Sequence, residues 1–204
     1  NALTGVLNAY FDGAPMLLVT GCGDTATMGL GHFQDVDQVA LAEPICKYAR
    51  LIDQVELVPE ILFEAWSAAI NGRPGPVHIT FPQDMMLAEI DPAQPDQIPT
   101  PPERVVVAGD PLQITEAVKL LQEAQCPLII AGSGVFYAHG ESALLHLARE
   151  QAIPIVTPIW DRGSVSEPAS VFMSVIGAAT GEVSFLNEAD VIIMAGAVPD
   201  YRVG

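Results

Sequence analysis

Apolar positions in the first eleven residues fall at helical spacing. Leu3, Val6, Leu7 and Tyr10 share one side, which predicts an amphipathic helix over residues 2–11. "DGAP" (12–15) interrupts that period as a turn. "MLLVTG" (16–21) is then a continuous apolar run of strand length. "CGDTATMGLGHFQD" (22–35) has no period and is punctuated by glycine; a connection this long often carries function. A helix is predicted over 36–46, with a break at Pro44. "YARLI" (48–52) reads as a short strand. The firmest helical pattern covers 55–70, with Leu57, Ile61, Leu62, Ala65 and Ala69 on one side.

"NGRPGPVHITFPQD" (71–84) ends that helix abruptly. Asn71 and Gly72 can take left-handed angles, and Pro74 and Pro76 cannot continue a helix. Residues 77–81 are β-branched and aromatic, so they read as a strand, and Pro82 is expected to stop its ladder. Residues 84–104 then change character. Pro92, Pro95, Pro99, Pro101 and Pro102 make this an extended, semi-rigid linker. Beyond it, helices are predicted over 112–123 and 139–152, strands over 127–134, 153–158 and 190–196, and a short helix ending at 185–189. Apolar strands alternating with helices mean parallel sheets covered on both faces. The predicted fold is α/β: two parallel-sheet modules, residues 1–86 and 108–204, joined by a Pro-rich linker at 87–107.

Composition narrows the function. With 204 residues and 50% hydrophobic content, the chain can build sizeable cores. A formal charge of -17 repels phosphate backbones and anionic lipid, so neither nucleic acid nor membrane is an expected partner. Cys22, Cys46 and Cys126 form neither a disulfide framework nor a zinc pattern, which suits a reducing, cytoplasmic setting. No apolar run reaches the roughly 18 residues of a membrane span. The first residue is not methionine, and the opening stretch reads as the middle of a helix-to-strand unit. A piece of a longer polypeptide is therefore expected.

Candidate chemistry is sparse. "AGSGV" (131–135) follows a strand and precedes a helix; its small residues either admit a phosphate or make a plain turn. "AGAVPD" (195–200) repeats the arrangement, and two such strand ends favour a crevice ligand. Gln34 beside Phe33 either faces a ring-shaped ligand or caps the loop. Asp35 and Asp84 are acid/base candidates or caps. His32, His78, His139 and His146 share no metal spacing and read as ordinary surface or half-buried histidines. No catalytic residue and no metal ligand is assigned.

Six stretches in order carry a resemblance: "NALTGVLNAYFDGAPMLLVTG", "GHFQDVDQV", "ICKYA", "GRPGPVHITFPQD", "CPLIIAGSGV" and "AGAVPDYRVG". Together they resemble thiamine-diphosphate-dependent enzymes of the acetolactate synthase type: the second half of the pyrimidine-binding domain, the linker and most of the central domain. The resemblance implies decarboxylation of a 2-keto acid, with the cofactor as electron sink, and transfer or release of the acyl carbanion. It implies thiamine diphosphate, Mg2+ held by a C-terminal domain outside these residues, and a homodimer or homotetramer. Asn1 and Gln34 match residues at the cofactor, and Phe33 and Lys47 match residues of the substrate channel. In relatives that bind FAD, the central-domain contacts map onto Gly132, Ser133, Gly134, Thr157, Gly177, Gly196 and Arg202; other relatives keep this domain with ADP or with nothing bound. Ser133 replaces the family's middle glycine, Val198 an arginine, and Asp35 the glutamate of the family's FQE loop. The alternative from another class is a non-catalytic FAD- or ADP-binding module. The 204-residue piece alone is expected to be inactive.

Overall fold

The computed structural model describes residues 1–32, 35–89, 99–105, 107–159, 164–165, 170–177 and 184–195. It divides into two compact units, residues 1–105 and 106–204. Each is built on a parallel sheet with helices, so the chain is α/β as its pattern predicts.

In the first unit, α1 (Ala2–Asp12) ends at Gly13, whose φ of 64° is left-handed and open to glycine at little cost. The chain then turns into β1 (Met16–Cys22). The predicted 36–46 helix is shorter than its pattern. It is α2 (Gln38–Ala42), capped by Asp37 accepting from the Ala40 N–H at 2.9 Å, followed by a 3-10 turn at Glu43–Ile45 that contains Pro44. β2 (Tyr48–Leu51) follows, then α3 (Val58–Ile70), entered through a 3-10 turn at Val55–Leu57.

β3 (Pro76–Pro82) is the centre of the sheet, in the order β1-β3-β2. The two prolines sit at its first and last positions, where a missing donor does least harm. Pro82 stops the ladder as expected: it is the last paired residue, opposite Cys22, and caps the start of α4 (Gln83–Leu87). That helix occupies the beginning of the predicted extended segment, where Gln, Met and Leu favour helix before the prolines begin.

The stretch 71–84 is tied to both of its neighbours. Asn71 donates through Nδ2 to the Ser67 carbonyl at 3.0 Å and so closes α3. Arg73 donates from its two terminal nitrogens to the carbonyls of Tyr10 and Phe11, at 2.6 and 2.7 Å, and so satisfies the end of α1. On one face of the sheet α3 buries Ile61, Ala65 and Ala69 against Val77 and Ile79. Glu64 on the α3 flank accepts from Tyr48 Oη at 2.8 Å and pairs with Arg50 at 3.3 Å, which pins that flank to β2. The opposite sheet face carries Thr20, His78 and Thr80, and α2 lies over its upper part.

In the second unit α5 (Pro111–Glu123), β4 (Pro127–Ala131), α6 (Ser133–Tyr137), α7 (Glu141–Glu150), β5 (Ile155–Pro158), β6 (Phe172–Ile176), α8 (Ser184–Glu188) and β7 (Val191–Ala195) follow in turn. The sheet runs β6-β5-β4-β7, all parallel. Its core joins Ile129, Ala131 and Ile155 to Val135, Leu144, Leu145 and Ala148. β6 was not predicted: its residues, "FMSVI", place Ser174 inside an apolar run and blur its period.

Candidate functional site

Parallel sheets open at the carboxyl ends of their strands, and ligands gather there. In the first unit Cys22 and Leu51 end β1 and β2, Thr80 lies two residues before the end of β3, and all three line a cavity of about 480 Å³. The long loop after β1 forms much of its wall, with Gly23, Thr27, Met28, Gly29 and His32 contributing.

Two carboxylates hold that loop. Asp35 accepts from the Gly29 and Gly31 N–H groups at 3.1 and 2.9 Å. Those donors hold its carboxyl below the usual carboxylate range. Asp84, at the start of α4, accepts from the Thr25 backbone N–H at 3.1 Å and from its hydroxyl. The Thr25 hydroxyl is the main reason its pKa is lowered. Both aspartates therefore work as clamps and stay ionised, the blander of their two sequence readings. Burial, with Asp84 and Asp35 nearby, pushes the Cys22 thiol up, so it is a poor nucleophile.

Beneath the cavity lies a line of polar side chains that the sequence did not single out. Gln38 lines the cavity and donates through Nε2 to the Gly21 carbonyl at 3.0 Å. Thr20 donates its hydroxyl to Gln38 Oε1. His78 Nε2 meets Thr20 Oγ1 at 2.8 Å. His78 is 2% exposed and Thr80 1%, and neither His78 Nδ1 nor Thr80 Oγ1 has a hydrogen-bond partner among the described residues. Burial lowers the His78 pKa. His78 was expected at the surface or half-buried; it is in the core because β3 is covered on both faces. The available signal was polarity recurring at alternate positions, Thr20, His78 and Thr80, inside strands otherwise apolar.

The sequence-predicted residues of this unit are not all brought together. Phe33 and Gln34 lie outside the described residues, between His32 and Asp35, which both line the cavity. Asn1 precedes α1 and is exposed. Lys47 sits before β2, at the strand end away from the cavity. Its Nζ donates to the Asn71 carbonyl, and burial and the nearby Arg73 lower its pKa. Among the described residues no cluster of three metal-ligating side chains occurs, and no helix is long and apolar enough to cross a membrane.

In the second unit the strand order corresponds to 3-2-1-4 counted along this unit, which is the order that leaves a crevice between strands 1 and 4. Those strands are β4 and β7. β4 ends at Ala131, short of the predicted 134; Gly132 links it to α6, which Ser133 and Gly134 begin, directly beside the end of β7. There the Gly132 N–H donates to the Ala195 carbonyl at 2.6 Å. Ser133 is buried. Thr157, at the carboxyl end of β5, is fully buried and its hydroxyl has no partner among the described residues. Gly177 follows β6 with a φ of 86°, a backbone that a side chain would strain. Gly196 and Arg202 lie outside the described residues.

Comparison with known proteins agrees with this geometry. Residues 114–204 match the family described as thiamine pyrophosphate enzyme, central domain. A "Probable acetolactate synthase large subunit" of Methanocaldococcus jannaschii is 35% identical over 208 residues, covering 100% of this chain and 35% of the relative. A 2-hydroxyacyl-CoA lyase 1 of Dictyostelium discoideum is 32% identical, covering 97% and 34%. A glyoxylate carboligase of Escherichia coli O157:H7 is 31% identical, covering 87% and 30%. The chain thus spans about a third of the length of the curated relatives it matches. Residues 114–204 thus match the central domain of thiamine pyrophosphate enzymes, and the chain along its length is similar to enzymes of the acetolactate synthase type.

Proposed function

We propose that the polypeptide carrying this chain uses thiamine diphosphate and Mg2+ to decarboxylate a 2-keto acid and to transfer or release the resulting acyl unit. The observation that carries this reading is similarity along the whole chain to relatives named as a synthase, a lyase and a carboligase. The cavity at the carboxyl ends of β1, β2 and β3 supports it, because Thr80, whose buried hydroxyl has no partner among the described residues, belongs to its wall. When bound, thiamine diphosphate supplies the electron sink for the carbanion. This chain's own residues bind and orient: Asn1 and Gln34 at the cofactor and Phe33 along the substrate channel; Lys47 is assigned to the channel by the resemblance alone, since it lies at the strand end away from the cavity. The test is carbon dioxide release from pyruvate and related 2-keto acids by the natural polypeptide. Turnover that requires thiamine diphosphate and is lost on chelating Mg2+ is expected; no turnover with any 2-keto acid overturns the reading.

The crevice between β4 and β7 is proposed to hold FAD or ADP through Gly132, Ser133, Gly134, Thr157, Gly177, Gly196 and Arg202. The unpartnered Thr157 hydroxyl and the strand order favour it. The Gly132 N–H is already engaged, so a phosphate there would rely on the other donors of the turn. Calorimetric titration with ADP and with FAD tests this. The polypeptide is further proposed to be a cytoplasmic homodimer or homotetramer; sedimentation of the natural protein reads the assembly.

A further inference from the structure

Gln38 is held in one orientation. The Gly21 carbonyl can only accept, so the carboxamide atom facing it at 3.0 Å is the nitrogen. Oε1 is then an acceptor and takes the single hydroxyl proton of Thr20. Having given that proton away, Thr20 Oγ1 accepts from His78 Nε2 at 2.8 Å. His78 is therefore an imidazole with its proton on Nε2 and a bare Nδ1, the atom with no partner. An apolar residue would fill the same buried place without stranding a ring nitrogen.

The other end of this line faces the cavity. Gln38 keeps a second Nε2–H that the Gly21 carbonyl does not use. Thr80 is paired with Thr20 in the sheet register and belongs to the same cavity wall; its hydroxyl is buried behind that wall and has no partner among the described residues. One group is obliged to donate and the other is free to.

We infer that His78 is a positioning residue that sets the hydrogen-bonding polarity of the cavity: through Thr20 it holds Gln38 with a donor toward the ligand, and Gln38 and Thr80 together select an acceptor oxygen such as the carbonyl or carboxylate of a 2-keto acid. The ligand half of this inference rests on the reading of the cavity proposed above; the His78 half does not.

Proton–nitrogen correlation spectra of the chain at neutral pH, with histidine nitrogens labelled, read the His78 tautomer without any ligand. The Nε2–H form is expected; an Nδ1–H form or an imidazolium overturns the relay. His78→Gln can still donate at the Nε2 position and is expected to keep the Gln38 side-chain amide protons resolved and slowly exchanging. His78→Leu is expected to speed their exchange about tenfold, the scale of one lost hydrogen bond. Equal exchange in both variants overturns the relay. If His78→Leu does not fold, Thr20→Val breaks the same line nearer the cavity and Thr20→Ser restores it. Pyruvate and thiamine diphosphate, each added alone, complete the test. Pyruvate is expected to shift the Gln38 amide in the wild type and in His78→Gln but not in His78→Leu. The expected tautomer with no pyruvate shift overturns the ligand half alone. A shift with thiamine diphosphate only reassigns the acceptor to the cofactor and overturns the keto-acid assignment.

Discussion

The two sheets solve the same problem with different material. Both are parallel and both open at the carboxyl ends of their strands. The first unit furnishes its opening with side chains: Thr20, His78 and Gln38 are wired together, with Thr80 unpartnered beside them among the described residues, under a loop fastened by Asp35 and Asp84. The second uses backbone and small residues, Gly132, Ser133 and Gly134, beside a single buried threonine, Thr157. Side-chain wiring gives direction to each hydrogen bond but strands polar atoms in a core. A glycine turn strands little and leaves recognition to main-chain groups.

If the two cores are comparably tight, equivalent truncations cost comparable amounts. Ile79→Ala in the first unit and Ile155→Ala in the second each remove a side chain that is 1% and 0% exposed. Each is expected to destabilise its own unit by about 2–5 kcal/mol, read by denaturant unfolding followed at residues of that unit. A small loss in one unit only would mean that its core collapses around the gap.

Arg73 has no counterpart described in the second unit. Arg73→Met removes two donors from the end of α1 and is expected to cost about 1–3 kcal/mol. Hydrogen exchange should show the loss concentrated in α1. Uniform loss across the unit would make Arg73 part of the global core.

Acid separates the units more gently. Burial holds the folded His78 below its ordinary 6.5, so the unfolded chain takes up that proton first as pH falls. The stability it affects is full above about pH 6.5 and declines below it. Asp35 and Asp84 in the first unit and Asp190 in the second are held below 3.8 by donors, chiefly Gly29, Thr25 and Gln125. Their contribution is full above that value and is lost as pH falls through the folded ones. The first unit should therefore begin to weaken near pH 6.5 and the second, through Asp190, only below about pH 4. Residue-resolved exchange against pH checks the order of onset.

The smallest effects are the most diagnostic. Thr80→Val and Thr157→Val each replace a buried hydroxyl without a partner by a methyl of the same shape. Stability should change by no more than about 1 kcal/mol in either direction. Thr80→Val should weaken the pyruvate response and Thr157→Val the binding of ADP, each leaving the other ligand untouched. Crossed effects would break the assignment of ligands to units.

What the chain's pattern disclosed followed period and punctuation. The 55–70 helix, the β1 run and the 77–81 strand stood out because apolar residues repeat cleanly and Gly and Pro bound them. α2 fell short of its pattern because Pro44 forced a tighter turn. β6 was hidden by one serine. The strand-to-helix step after β4 was only partly legible: the pattern carried the strand to 134, whereas it ends at Ala131 and Ser133 begins α6. The polar line under the first cavity was not, because Thr20 and Gln38 are 18 residues apart and Thr20 and His78 are 58 apart. Only β3 lying between β1 and β2 joins them, and no local pattern announces strand order.

That strand order also has a bearing on how the chain is made. β1 is complete at Cys22 and β2 at Leu51, but the strand that joins them ends at Pro82. Among the described residues both early strands pair with β3, so neither meets that partner until the last one leaves the ribosome. At common translation speeds β1 waits roughly 3–12 s for it. The sheet then forms in a single closing event, with His78 delivered to Thr20 by the arrival of the strand that completes it.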